Sequence, residues 1–405
     1  MKTLFLTNEY PPYIYGGAGV HVEYLTRELA KLMPVQVRCF GDQRYQSENL
    51  QVTGFGIETQ MFRNTDQQLR SPLQALSRCV GFCAEPIDAD MVHCHTWYTH
   101  FGGILAKKNY GIPLIITTHS LEPLRPWKRE QLGLGYDLSC WIEKTAIEMA
   151  DGIIAVSESM KRDVLELFDV DPRRVRVIYN GIDMEEYRPV AAQAALYRFG
   201  VDPSLPYVLF VGRITRQKGI IHLINAIKYL DPDTQVVLCA GAPDTKDIAL
   251  EMEHGVRAIQ ETHNRVLWIT EMLDKPTLVE LYSNAAVFCC PSIYEPFGII
   301  LLEAMACGTP VVASAVGGIR EVVVDGVTGI LVALDQHTES PFEPKDPDTF
   351  ARDLAAPINR LIADEGVRRQ MSEAGRHRAV ELFSWRAIAK QVHEFYRELV
   401  AKDAG

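Results

Sequence analysis

Short apolar runs alternate with amphipathic stretches along almost the whole chain, the pattern of strand and helix units that feed parallel sheets. In the first half the runs predict strands at 4–7, 35–40, 91–95, 114–118, 152–156 and 175–178. In the second half they predict strands at 207–211, 236–240, 266–269, 286–290, 310–313 and 329–332. Between the first two strands Val22, Leu25, Leu29 and Leu32 recur at helical spacing, with Glu23, Arg27 and Lys31 opposite, so an amphipathic helix is expected to bury those four. A polar stretch bearing alanine and proline, 184–206, breaks the alternation and marks a junction between two domains. No fixed period of roughly 20–50 residues recurs, so the pattern describes two sheets and not a solenoid. The stretch 335–347, with several prolines and acids, reads as an exposed loop. Helix returns over 384–400, with Ser384 as a candidate N-cap before Trp385.

A length of 405 residues fits two domains of about 200 each. Hydrophobic residues at 47% and charged ones at 23% exclude general disorder, because this chain has enough apolar surface to offset its entropy. A net charge of −11 with no basic stripe argues against a nucleic-acid partner, so any anionic ligand must meet a local positive site. The opening run from Met1 to Thr7 soon meets Glu9 and Pro11-Pro12, and reads as a buried strand instead of a signal peptide. No run approaches the ~20 apolar residues that span a bilayer, so a cytoplasmic location without a membrane partner is expected.

Nine cysteines, an odd number, suit reduced thiols better than a disulfide framework. Cys79 and Cys83 have i,i+4 spacing but no second ligand pair at a zinc-site distance, which favours core packing. On a strand, Cys94 would point away from both His93 and His95, so that trio would not chelate one ion. Cys289-Cys290 reads as buried strand. Neither a metal site nor a cofactor is expected.

Four stretches could carry chemistry. Tyr15-Gly16-Gly17-Ala18-Gly19 lies between the first strand and the first helix, where glycines and helix N–H groups suit either an anion or simply a turn. Gly212-Arg213 to Lys218-Gly219 follows the first strand of the second half, at the sheet edge where parallel sheets bind ligands; Arg213 and Lys218 could meet a diphosphate there. Tyr294-Glu295-Pro296-Phe297-Gly298 precedes a helix that Gly298 opens, and Glu303 sits on that otherwise apolar helix. A buried carboxylate there requires hydrogen bonds, from sugar or ribose hydroxyls or from a structural partner. Thr117-Thr118-His119-Ser120 ends a strand and leads into 121–128, a loop with Arg125, Trp127 and Lys128.

Taken together, Glu295 to Glu303 resembles the E-x7-E element of retaining GT-B glycosyltransferases of family 4 type, Arg213 to Lys218 their R-x4-K phosphate clamp, and Tyr15 to Gly19 their glycine loop. More narrowly, Glu9-Tyr10-Pro11-Pro12, Gly16 to Val22, Ser120 to Lys128 and Trp141 to Thr145 resemble the actinobacterial-type glycogen synthase branch, which includes maltose-1-phosphate synthases. The resemblance covers almost the whole chain. It implies an α/β GT-B fold, two Rossmann-like parallel-sheet domains facing a central cleft: residues 1–188, with a C-terminal helix at about 384–405 packing back onto them, and residues 205–383 as the nucleotide-sugar domain.

The resemblance also implies roles. Arg213 and Lys218 would hold the donor diphosphate, and Glu303 the ribose. Glu295, with N–H groups near Phe297 and Gly298, would hold glucose hydroxyls. His119 would contact the sugar near the reaction centre, and Gly16, Gly17 and Asn180 would lie near the donor. Tyr15, Gly17, Arg125, Trp127 and Lys128 would serve the acceptor. The implied reaction is metal-independent, retaining transfer of glucose from ADP-glucose or UDP-glucose to an α-glucan end or to glucose 1-phosphate, as in glycogen synthesis. Two other readings stay open: a transferase with a different acceptor, as in sucrose-phosphate synthases, and a non-catalytic nucleotide-sugar-binding protein.

Overall fold

The structure, a computed structural model, describes residues 1–403 apart from 58–59, 242, 264 and 340–341. Ser340 and Pro341, in the middle of the stretch expected to be an exposed loop, thus lie outside the described residues. The chain forms two compact units, Met1–Gly181 with the segment from Trp385 onward, and Ile182–Ser384.

The first unit is built on eight strands: β1 (Thr3–Thr7), β2 (Val35–Phe40), β3 (Arg44–Gln46), β4 (Leu50–Phe55), β5 (Met91–His95), β6 (Leu114–Thr118), β7 (Gly152–Ala155) and β8 (Val175–Val177). They lie in the order β3-β4-β2-β1-β5-β6-β7-β8. Every pairing is parallel except β3 with β4. β3 and β4 are the strands that the apolar runs do not predict: all three residues of β3 are exposed, and only Val52, Thr53 and Gly54 of β4 are buried.

Helix Gly17–Leu29 packs on this sheet with Val22, Leu25 and Leu29 at 0% exposure, each such side chain contributing about 1.5–3 kcal/mol. Leu32 departs from the expectation and is 43% exposed. The helix ends at Leu29, and the turn that closes with Met33 N–H on the Leu29 carbonyl points Leu32 outward. The last helix, Trp385–Asp403, shares the core of this unit. Its Trp385 ring stacks on Tyr24, with centroids 5.8 Å apart and planes 3° apart. Arg38 on β2 is only 1% exposed, and its guanidinium donates to the carbonyls of Phe82, Glu85 and Pro86 at the end of helix Gln67–Ala84. A buried cation is tolerable there because the last carbonyls of a helix lack partners and carry its negative dipole end.

The second unit has six strands: β9 (Tyr207–Arg213), β10 (Gln235–Gly241), β11 (Val266–Ile269), β12 (Val287–Cys290), β13 (Val311–Ser314) and β14 (Gly329–Val332). They run parallel in the order β11-β10-β9-β12-β13-β14. The strand order reverses at β9, and the mouth beyond its carboxyl end is the crevice where such sheets take ligands. The polar stretch after Ile182 belongs to this unit, tied by Val190 N–H to Ser283 Oγ at 3.1 Å and by Ala195 N–H to Glu280 Oε2 at 2.8 Å.

All nine cysteines are free thiols, and Cys79, at 0% exposure, donates to the Tyr98 carbonyl. Among the described residues no helix is long and apolar enough to cross a membrane.

Candidate active site

In the second unit, strand β9 delivers Arg213 to the crevice mouth, and the loop after it turns back so that Lys218 meets Glu295. Gly219 makes that approach possible. It sits at φ +60°, and a Cβ there would fall 2.0 Å from the Pro291 carbonyl oxygen, so no other residue fits without moving the loop that follows β12. The two loops are bonded directly, Ile293 N–H to the Gln217 carbonyl at 3.0 Å. Lys218 Nζ donates to Glu295 Oε2 at 2.6 Å, and Arg213 Nη1 to Asp244 Oδ1 at 2.9 Å. Both cations of the expected diphosphate clamp therefore already face a carboxylate.

Gly298, at φ +90°, ends the loop and starts helix Ile299–Ala306. The second carboxylate of the motif, Glu303, is 8% exposed and accepts from Tyr282 OH at 2.9 Å. Burial raises its pKa, opposed by the hydroxyls of Tyr282 and Tyr187. The structural alternative for Glu303 is thus physically present: tyrosine hydroxyls supply hydrogen bonds to a carboxylate on an apolar helix. Phe297 is buried, with its ring against Phe383.

In the first unit the glycine loop is held by a residue seven positions earlier. Glu9 Oε2 accepts N–H groups from both Tyr15 and Gly16 at 2.8 Å, next to the positive end of helix Gly17–Leu29. A Cβ on Gly19 would lie 2.7 Å from that same carboxylate oxygen. The chain's own carboxylate therefore uses two of the N–H groups that the sequence offers to an anion, leaving the loop beyond Gly16 for a ligand. Tyr15 itself is 52% exposed.

The loop after β6 folds onto its own charges. Lys128 Nζ donates to Glu122 Oε1 at 2.9 Å, and Arg125 Nη1 lies 3.7 Å from the same oxygen and 3.1 Å from Ser120 Oγ. Burial acts to raise the Glu122 carboxyl, but the charges of Lys128 and Arg125 outweigh it and hold the group ionised. Glu143, which accepts the Glu122 N–H at 2.6 Å, is pushed well above its ordinary value by burial and then by the Glu122 charge. Trp127 is buried as well. Arg125, Trp127 and Lys128 thus form one folded unit with Glu122 and Glu143.

His119 directly follows β6 and lies in a group of rings that no local motif announces. His95 Nδ1 and His119 Nε2 are 2.9 Å apart, and His21 Nδ1 is 2.6 Å from Asn180 Oδ1. Burial, reinforced by the other rings, drives the pKa of His93, His95 and His119 well below the ordinary value. Burial brings His21 down to about 4. His21, His95 and His119 each offer a ring nitrogen within 4.8 Å of the others, a spacing that could hold a metal ion. The expectation of no metal cluster rested on groups close in sequence, Cys79 with Cys83, His93 to His95 and Cys289-Cys290, whereas these three rings come from a helix, from β5 and from the residue after β6. The direct His95–His119 hydrogen bond uses a lone pair and a proton that an ion would have to displace. Glu9, His21 and His95, none of them a candidate from the sequence, bond the candidate residues Tyr15 and Gly16, Asn180, and His119 respectively. The one local signal was the alternation of His93 and His95 on a strand.

Comparison with known proteins agrees with this division. Residues 15–186 match the family described as Glycosyltransferase Family 4, and residues 198–378 the family described as Glycosyl transferases group 1. The chain is 46% identical over 408 residues to an alpha-maltose-1-phosphate synthase of Mycolicibacterium smegmatis, covering 99% of this chain and 100% of that protein. The protein of that name from Mycobacterium tuberculosis is 44% identical with the same coverage. Among solved structures, a sucrose-phosphate synthase from Thermosynechococcus elongatus aligns with a TM-score of 0.80 at 26% identity, covering 99% of this chain and 100% of that one.

Proposed function

The chain belongs to the GT-B glycosyltransferases of family 4 type and is a hexosyltransferase, and we propose that it moves glucose from ADP-glucose or UDP-glucose to a phosphorylated sugar acceptor, glucose 1-phosphate. The observation that carries this reading is the pairing of Lys218, in the loop after β9, with Glu295, in the loop after β12, which gathers a cation and a carboxylate at one crevice mouth. Full-length identity with two alpha-maltose-1-phosphate synthases supports the choice of acceptor.

In this reading Arg213 and Lys218 exchange Asp244 and Glu295 for the donor diphosphate. Glu303 receives the ribose hydroxyls, and Glu295, released from Lys218, receives glucose hydroxyls together with the N–H groups near Phe297 and Gly298. His119, with Asn180, Gly16 and Gly17 in support, contacts the sugar. Arg125, Trp127, Lys128 and Tyr15 shape the acceptor side, Glu122 and Glu143 keeping that loop folded. The bond from glucose to phosphate breaks and the diphosphate leaves with its electron pair, stabilised by fixed positive charge in place of a metal. The acceptor hydroxyl bonds the same face of the anomeric carbon, retaining its configuration. Its proton passes to the departing phosphate oxygen.

The likeness to a sucrose-phosphate synthase supports a second reading, in which another sugar is the acceptor; an α-glucan end, as in glycogen synthesis, is the other acceptor to be tested. A panel of ADP-, UDP- and GDP-glucose against glucose 1-phosphate, fructose 6-phosphate and glycogen, with products identified by mass, separates the two. Transfer confined to glycogen or to fructose 6-phosphate would replace the proposed acceptor.

A further inference from the structure

Four histidine rings meet inside the first unit, and their hydrogen bonds fix where the protons sit. An amide oxygen only accepts, so the 2.6 Å contact with Asn180 Oδ1 places the His21 proton on Nδ1. Its Nε2, buried and without a partner among the described residues, is then a bare lone pair. His93 is held at both nitrogens by hydroxyls, Tyr396 OH at 2.6 Å and Thr117 Oγ1 at 2.7 Å, which can give or take a proton.

The last two rings share the single bond from His95 Nδ1 to His119 Nε2. One nitrogen carries the proton and the other does not. His95 is 0% exposed, and its Nε2 also has no partner among the described residues. Were His119 the donor, neutral His95 would carry its only proton on Nε2, as a buried N–H with nothing to bond, the kind of polar group that folded chains most rarely leave unpaired. With His95 as donor the orphan is a lone pair, matching His21. His119 Nε2 then accepts, and the proton of the neutral His119 ring lies on Nδ1, the nitrogen that bonds no other described residue.

We propose that His95 is a positioning residue that locks His119 in the Nδ1–H tautomer, so that His119 meets its sugar ligand as a neutral hydrogen-bond donor. In that state it offers the sugar no lone pair and cannot be the base that takes the acceptor's proton. The role of the donor rests on the reading above, in which His119 touches the transferred sugar; the tautomer does not depend on it.

The test is long-range ¹H–¹⁵N correlation on the full enzyme labelled at histidine nitrogen, at pH 7.5, with the His119 signals assigned by their loss in His119→Gln. The expected pattern is a protonated Nδ1 and a bare Nε2 on His119. It should persist in His95→Asn, whose amide N–H can replace the ring Nδ1–H, and disappear in His95→Leu. Turnover should fall on the order of ten- to a hundredfold in His95→Leu with KM little changed, and recover most of that loss in His95→Asn. A protonated Nε2 on His119 in the wild-type enzyme, or an unchanged His119 pattern in folded His95→Leu, overturns the proposal. If His95→Leu does not fold, the wild-type and His95→Asn spectra still decide. Wild-type turnover in His119→Gln would instead overturn the sugar contact alone, since the tautomer is read from the spectrum and not from activity.

Discussion

Lys218 Nζ lies 2.6 Å from Glu295 Oε2 with the two side chains only 20% and 7% exposed, so the cation proposed to hold a diphosphate is neutralised by the carboxylate proposed to hold a sugar. A charge left alone at such depth is costly, so each holds the other, and in the proposed reaction the donor takes over both partners. Replacing Lys218 with Ala should remove charge-assisted bonds to the leaving diphosphate and lower turnover by on the order of 10² to 10³. Steady-state kinetics on the folded variant provide the check. Turnover near that of the wild type would remove Lys218 from the clamp.

Glu9 is expected to act on the glycine loop in the same indirect way. Glu9→Gln keeps the shape but weakens the acceptor that holds Tyr15 N–H and Gly16 N–H, a loss of about 1–2 kcal/mol in loop order. We expect kcat/KM to fall about tenfold while the melting temperature moves by only a few degrees. A variant with unchanged kinetics would mean that the loop needs no such anchor.

These two residues also show what the sequence can and cannot tell. The strands of both sheets, apart from β3 and β4, are readable because a buried parallel strand is a continuous apolar run. That Arg213 and Lys218 flank the loop after β9, and that Glu295, Gly298 and Glu303 surround a helix start, is readable because each of these two groups lies at short sequence separation. Glu9 reaching to Gly16, and His21 reaching to Asn180 across 159 positions, are products of tertiary packing with no local signature. Leu32 illustrates the opposite failure: its spacing continues the helical stripe, but the backbone stops being helical three residues earlier.

The histidine group makes an acid-stability prediction. Unfolded histidines titrate near 6.5, whereas folded His21 titrates near 4 and His100 near 3, and His93 and His95 are also well depressed. Between those values the unfolded chain binds more protons than the folded one, so stability is fully present above about pH 6.5 and falls as pH drops toward 4. His21 alone accounts for about 3 kcal/mol of that loss. Urea titrations at pH 7.5 and pH 5 should show a marked drop at the lower pH, and His100→Leu should flatten the dependence. Equal midpoints at both pH values would contradict buried neutral rings.

Activity should survive excess EDTA, since Arg213, Lys218 and helix N–H groups can take the place of a cation at the diphosphate. The assay compares dialysed enzyme with and without chelator. Activity lost to EDTA and restored by magnesium, manganese or zinc would refute the metal-free reaction and would direct attention to His21, His95 and His119.

The claim that this enzyme is a glucosyltransferase to a phosphorylated sugar is tested most directly by supplying one donor and one acceptor and identifying the product. Purified enzyme given ADP-glucose and glucose 1-phosphate should release ADP and form a disaccharide phosphate in equal amounts, the new linkage having the α configuration of the donor by proton NMR. Release of ADP with free glucose and no disaccharide phosphate, or a β linkage, would contradict the account.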